Sequence, residues 1–168
     1  MKKLLMIAVM FLSSTAMFAE QGDMWVGANA NYGMHSDYKN LGIGAKIQWE
    51  FMDNIRVEPS FNYFFKKDLC TMYDVNINGH YLINAGGLTI YPLAGVTLLG
   101  TKVTVPAINV MGYNTPEVSA SDSNLGLNVG GGVEFPISDG IKLNAEFKYQ
   151  IVKDWNRPVI SVGAAFAL

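Results

Sequence analysis

From Leu41 to Phe51 apolar and polar residues alternate without a break, and the same period of two returns along almost the whole chain. Leu41, Ile43, Ala45, Ile47, Trp49 and Phe51 fall on one side, and Gly42, Gly44, Lys46, Gln48 and Glu50 on the other. Successive side chains of a strand point to opposite faces, so this pattern specifies strands with one apolar and one polar face. Leu125 to Ile137 and Ile141 to Ile151 repeat it with equal purity, and Met24 to Met34, Ile55 to Phe65, Tyr73 to Ile83 and Val159 to Leu168 with less. Leu88 to Leu99 is apolar on both faces and contains Pro92; it is assigned as a strand because the count and the lengths require one there. Eight strands result, each near or above the 9–11 residues that a tilted strand needs to cross a bilayer.

Composition says what surrounds these strands. Charged residues make up 15% of the 168 residues, against about 25% in soluble domains. No apolar run after residue 19 is long enough for a spanning helix. A chain poor in charge and without such helices points to a membrane β-structure. The start of the chain reads as an export signal. Lys2 and Lys3 precede the apolar run Leu4 to Leu12, and small residues lead to Ala19 before Glu20-Gln21-Gly22-Asp23. The expected division is therefore a signal peptide over 1–19 and a barrel domain over 20–168. Removing Lys2 and Lys3 from the twelve basic residues leaves ten against fourteen acidic, a formal charge of −4. That balance gives no support for nucleic-acid binding. The single Cys70 forms no internal disulfide, and no zinc-type spacing is present.

Glycine distinguishes the inner face from the outer. Gly27, Gly33, Gly42, Gly44, Gly126, Gly130 and Gly132 all lie on the polar face. A water-exposed face gains nothing from strand glycines, whereas the inside of a narrow barrel does, because small residues make room for large ones opposite. The apolar face carries aromatics towards strand ends, among them Tyr32, Trp49, Phe51, Tyr63, Tyr73, Phe135 and Tyr149, as a lipid-facing surface does. The expected fold is an all-β, eight-stranded antiparallel up-and-down transmembrane β-barrel. Its interior then holds Lys46, Arg56, Lys142 and Lys148 against Glu50, Glu58, Glu134 and Glu146. Buried charges persist only when paired, so the equal signs predict a closed charge network rather than an open channel.

The connections alternate in length: Met52 to Asn54, Asn84 to Gly87 and Ser138 to Gly140 are tight. His35 to Asn40, Lys66 to Met72, Thr101 to Asp122 and Val152 to Pro158 are longer. Short periplasmic turns and longer external loops are the asymmetry of an outer-membrane barrel. Asn54 and Gly140 occupy the last place of three-residue turns, where a left-handed conformation is expected. This register sets Glu50 across from Arg56, and Gly130 and Gly132 across from Lys148 and Glu146.

Gly130-Gly131-Gly132-Val133-Glu134-Phe135, a short turn, and Leu143-Asn144-Ala145-Glu146-Phe147-Lys148-Tyr149 form a recognisable pair of strands. With them the chain from Met24 to Leu168 resembles the OmpA/OmpX-like family of eight-stranded outer-membrane barrels, including the small porin-family barrel proteins. The OmpX-like version is the nearer comparison. The resemblance implies an outer-membrane location, outer-membrane lipid as surroundings, and the barrel assembly machinery as the partner that reads the last strand.

Three classes of function are open at this point. The leading one is a non-enzymatic structural or adhesion-type surface protein acting through its external loops. Val103, Val105, Ile108, Val110, Met111 and Tyr113 in the longest connection are the candidate interaction residues, and a host or cell-surface ligand the candidate partner. A small porin-like channel is the alternative. A lipid-modifying enzyme is the third, with His35, Ser36 and Asp37 as the nearest approach to a catalytic group. Adjacent residues of an extended chain point apart, so no catalytic residue, metal ligand or cofactor is assigned.

Overall fold

The computed structural model describes residues 23–36, 38–105, 108–110, 113–115 and 118–168. The expected export signal over 1–19 lies outside them. Eleven strand segments follow in chain order: β1 (Met24–His35), β2 (Tyr38–Met52), β3 (Ile55–Lys67), β4 (Cys70–Tyr81), β5 (Ile83–Asn84), β6 (Thr89–Val105), β7 (Ile108–Val110), β8 (Tyr113–Thr115), β9 (Val118–Ser138), β10 (Ile141–Val152) and β11 (Arg157–Ala167). Every strand of the main sheet pairs antiparallel with its neighbours, in the order β4-β3-β2-β1-β11-β10-β9-β6-β5. The additional pairing of β4 with β6 closes the sheet. With β5 a two-residue continuation beyond β4, eight strands make the wall of an antiparallel β-barrel. β7 and β8 form a separate small hairpin.

The alternation decides the faces as the sequence requires. Outward side chains form an apolar band that includes Leu41, Ile43, Ile77, Leu125, Leu127, Phe147 and Val162, all exposed. Inward side chains on the same strands, such as Lys46, Arg56, Asn62, Asn128 and Lys148, are buried. Gly132 shows why the inner face needs glycine. A Cβ there would meet the hydroxyl and ring of Tyr91, which points inward from β6. The expected registers are present: Glu50 faces Arg56, Lys148 faces Gly130 and Glu146 faces Gly132.

The doubly apolar stretch resolves into an ordinary strand. Tyr91, Leu93, Thr97 and Leu99 point inward, and Ile90, Val96 and Leu98 outward. The strand before it is interrupted at Leu82, between β4 and β5. Leu82 turns inward against Tyr91 and Leu93 while its N–H donates to the Asn54 carbonyl. A second buried apolar cluster of Phe64, Cys70, Met72 and Val159 lies towards the other end, with Trp155 packed against it.

Three expectations about connections are corrected. β1 and β2 pair up to His35↔Tyr38, and β3 and β4 to Lys67↔Cys70. Only residues 36–37 and 68–69 are left between these paired strands, fewer than the longer loops expected, and Asp68 and Leu69 take the positive φ angles of 45° and 69° that a two-residue turn requires. The longest connection shrinks to residues 106–117, because β6 and β9 continue as a ribbon as far as Val105↔Val118. At the opposite end Asn54 is left-handed, with φ of 62°, but Gly140 is not. Both turns are closed by a direct pair, Met52↔Ile55 and Ser138↔Ile141, with a register shift just beyond it, so each is a two-residue turn followed by a bulge rather than a three-residue turn. Length asymmetry between the two ends therefore comes from extension of the strands themselves. Only the 106–117 and 153–156 connections remain longer than two residues at the loop end.

Gly132→Val is expected to destabilise the barrel by about 1–3 kcal/mol, through overpacking against Tyr91. Urea unfolding in lipid vesicles measures it, and Tyr91→Ala in the same chain should recover part of the loss.

Candidate functional site: the charged interior and the loop-end ribbon

Because side chains of alternate positions converge on a narrow axis, inward polar residues meet partners on other walls. The lower half of the interior, towards the tight turns, is built around Arg56 and Glu134. Arg56 Nη1 donates to Glu134 Oε2 at 2.8 Å and stands 3.6 Å from Glu50 Oε1. Its Nε donates to His80 Nδ1 at 3.2 Å. Its guanidinium lies 5.0 Å from the centroid of the Tyr91 ring, on which His80 stacks at 4.6 Å. Lys142 Nζ sits 3.4 Å from Glu134 and 3.6 Å from Glu50, over the ring of Trp25. Lys46 pairs with Glu58 at 3.3 Å and Lys148 with Glu146 at 3.6 Å, and Tyr91 Oη donates to Glu146. Gln48 Nε2 donates to Glu58 Oε2 at 2.8 Å and to Glu134 Oε1 at 3.1 Å. β2 and β9 are four steps apart either way round the wall, so Gln48 spans the barrel. All eight of the charged residues expected inside thus lie within 4.0 Å of an oppositely charged group.

A ninth and a tenth charge sit higher in the barrel, and the sequence reading did not assign them. Asp74 Oδ2 accepts from Arg157 Nη2 at 2.9 Å and from Gln150 Nε2 at 3.2 Å. Its Oδ1 accepts from Asn62 and Asn76, each at 2.6 Å. Arg157 also donates from Nε to Gln150 Oε1 at 2.7 Å, and its guanidinium lies 4.3 Å from the Phe64 ring centroid. β4 and β11 stand on opposite walls. Asp74 was legible as an inward residue, whereas Arg157 lay in an apparent loop. Carrying the inward parity of Ser161 back by four residues would have reached it. Between the two charge layers, Asn29 and Asn31 of β1 bond through their amides to Asn62 of β3, and Asn128 of β9 to Asn76 and Asn78 of β4, each bond reaching past the strand in between. The amide of Asn144 and His80 Nε2 are buried without a hydrogen-bond partner among the described residues.

The tight-turn end opens to a vestibule of about 180 Å³ lined by Trp25, Glu50, Leu82, Glu134, Pro136 and Lys142. At the loop end the ribbon of β6 and β9 rises beyond its neighbours. β4 stops pairing with it at Cys70↔Val103, and β10 stops at Val152↔Gly126. The outer edge of residues 118–125 therefore has no ladder partner among the described residues. Val103, Val105 and Val118 on the ribbon are exposed. Ile108, Val110 and Tyr113 belong to the small hairpin, and Met111 lies outside the described residues. His35 does not join a catalytic arrangement with Ser36: its Nδ1 donates to the Asn156 carbonyl at 2.9 Å and its ring packs against Trp155 at 4.8 Å. Asp37 lies outside the described residues.

A closed antiparallel wall, apolar outside and charge-paired within, defines an integral membrane barrel of the bacterial outer-membrane class. The chain matches the outer membrane protein beta-barrel domain family over residues 4–167 and belongs to that family. It is a bacterial outer-membrane protein. Neisserial surface protein A is similar in structure, with a TM-score of 0.65 at 16% identity, over 86% of this chain and 96% of that one. Ail, the attachment invasion locus protein of Yersinia pestis, is similar at a TM-score of 0.56 and 20% identity, over 88% and 97%. The N-terminal barrel of Pseudomonas aeruginosa OprF reaches 0.59 at 16% identity, over 88% and 100%. Ail is also known in complex with the heparin analogue sucrose octasulfate. No curated protein matches the chain in sequence.

Replacing Asp74 by Asn leaves the buried Arg157 guanidinium without its anion, at a cost of about 3–5 kcal/mol. Arg157→Met should cost a similar amount by stranding Asp74. The double variant should cost clearly less than the two together, as denaturant titrations of the four proteins in vesicles would show.

Proposed function

We propose that the protein is a non-enzymatic surface-interaction barrel, in which the charge-filled interior is a plug and the loop-end ribbon meets the partner. The observation that carries this reading is the free edge of residues 118–125 beside exposed Val103, Val105 and Val118. An unpaired edge offers a row of N–H and C=O groups to an extended segment of another chain, and apolar side chains beside it supply contact area. The likeness to Ail, an attachment protein by name, and to a neisserial surface protein agrees with an adhesion-type role, on the strength of a shared fold. The cross-barrel pairs Gln48–Glu134 and Arg157–Asp74 support the plug.

Deleting residues 104–118 should abolish adhesion of expressing cells to host or bacterial surfaces, while heat-modifiable gel migration shows the barrel still folded. Undiminished adhesion would refute the reading. A second reading, a conduit for small solutes, draws on the unpartnered interior atoms of Asn144 and His80, which are groups that internal water satisfies. Planar-bilayer recording separates the two: the plug predicts no steady conductance steps from the refolded protein.

A further inference from the structure

The ribbon of β6 and β9 reverses its polarity where it rises beyond the wall. Lower down, the outward side is apolar and the inward side polar. Val96↔Leu127 and Leu98↔Leu125 point out and are exposed, whereas Thr97 and Asn128 point in and are buried. The same parity runs on without a register shift as far as Val105↔Val118. Along this extension the side above the barrel mouth carries Val103↔Ala120 and Val105↔Val118. The outer side carries Lys102↔Ser121, Thr104↔Ser119 and Ser123. Val103, Val105 and Val118 are 40%, 44% and 61% exposed. An apolar side turned away from the bilayer gains nothing from lipid, and apolar groups gathered on one side of an otherwise polar ribbon mark a contact surface.

Asp122 stands on this same mouth side, next in line after Ala120. It is exposed and accepts from Asn124 Nδ2 at 2.7 Å. Among the described residues no lysine or arginine pairs with it. Lys102 lies on the opposite side of the ribbon. The free edge of residues 118–125 extends both sides to whatever pairs with it. A strand laid there sets alternate side chains beside Val118, Ala120 and Asp122, and those between them beside Ser119 and Ser121. Antiparallel pairing is the more stable per residue, and in that direction the incoming segment meets Asp122 before Ala120 and Val118.

We infer that the partner is a cationic, amphipathic β-segment of the pattern basic–x–apolar–x–apolar, where x is small or hydroxylic. The inference rests on the reading of the ribbon as the meeting surface. The basic side chain pairs with Asp122, and the two apolar ones widen the valine side over the mouth. A second copy of the ribbon does not supply this pattern, because residues 118–125 contain no cation.

The probe is the fluorescent, end-capped peptide Thr-Lys-Thr-Val-Thr-Val-Thr, titrated by anisotropy against the barrel in lipid nanodiscs. Its isomer Thr-Lys-Val-Thr-Val-Thr-Thr puts lysine and the valines on opposite sides and should bind about tenfold more weakly, through the loss of several cross-strand pairs. Glutamate in place of the lysine of the first peptide should weaken binding by about fivefold, because like charges directly across a pair repel. Asp122→Lys should reverse that order, so that the glutamate peptide binds this variant better; a merely structural role for Asp122 would not reverse it. V103S/V118S should bind the first peptide about fivefold more weakly, whereas Ser121→Ala, on the outer side, should stay within about twofold of the wild type. Heat-modifiable migration checks that each variant is folded. If V103S/V118S does not fold, the peptide comparisons on the wild type and on Asp122→Lys carry the test. No measurable binding of the first peptide, or equal affinity for the two isomers, overturns the inference, as does a charge preference that Asp122→Lys leaves unchanged. Loss of adhesion on deleting residues 104–118 together with equal binding of the isomers overturns this inference alone, whereas retained adhesion overturns the reading beneath it.

Discussion

In hydrocarbon there is no water to receive an unpaired N–H or C=O, and the closing pairing of β4 with β6 is what removes the last open edge of this sheet. Eleven consecutive residue pairs, from Cys70↔Val103 to His80↔Leu93, make that seam as long as the barrel wall needs. Everything else about the molecule is conditioned by it. The wall must present an apolar exterior, and the closed ring must be filled from within by whatever the opposite parity of each strand supplies.

What it supplies is charge and amide. The interior holds five cations and five anions, and each is taken up by a partner of opposite sign on the same or another strand. Desolvating such groups is costly, and their attraction offsets the cost only with good geometry and further hydrogen bonds. Asp74 illustrates the condition: four donors from four residues reach its two oxygens. Such a network stiffens the wall from inside, because its longest links join strands that are not neighbours.

The loop end is where the ladder rules relax. Beyond Cys70↔Val103 and Val152↔Gly126 the ribbon rises past its neighbours, where water can satisfy the outer edge of residues 118–125. In the proposed function, the same freedom that makes this edge permissible outside the bilayer makes it available for recognition.

Local alternation in the sequence determined the strands, their two faces, the lipid-facing exterior and the eight inward charges, because a period of two is written into neighbouring residues. It left undetermined what depends on closure. Arg157 looked like a loop residue until β11 was seen to begin there and to place it across the full width from Asp74. The inward turns of Leu82 and Tyr91, the bulges beside the two turns at 53–54 and 139–140, and the ribbon hidden in the apparent loop from Thr101 to Asp122 belong to the same group. Which residues meet across a barrel depends on the stagger between strands, and how far a hairpin extends depends on pairing between residues far apart in sequence. No single stretch of chain carries that information; it exists only once the ring has closed.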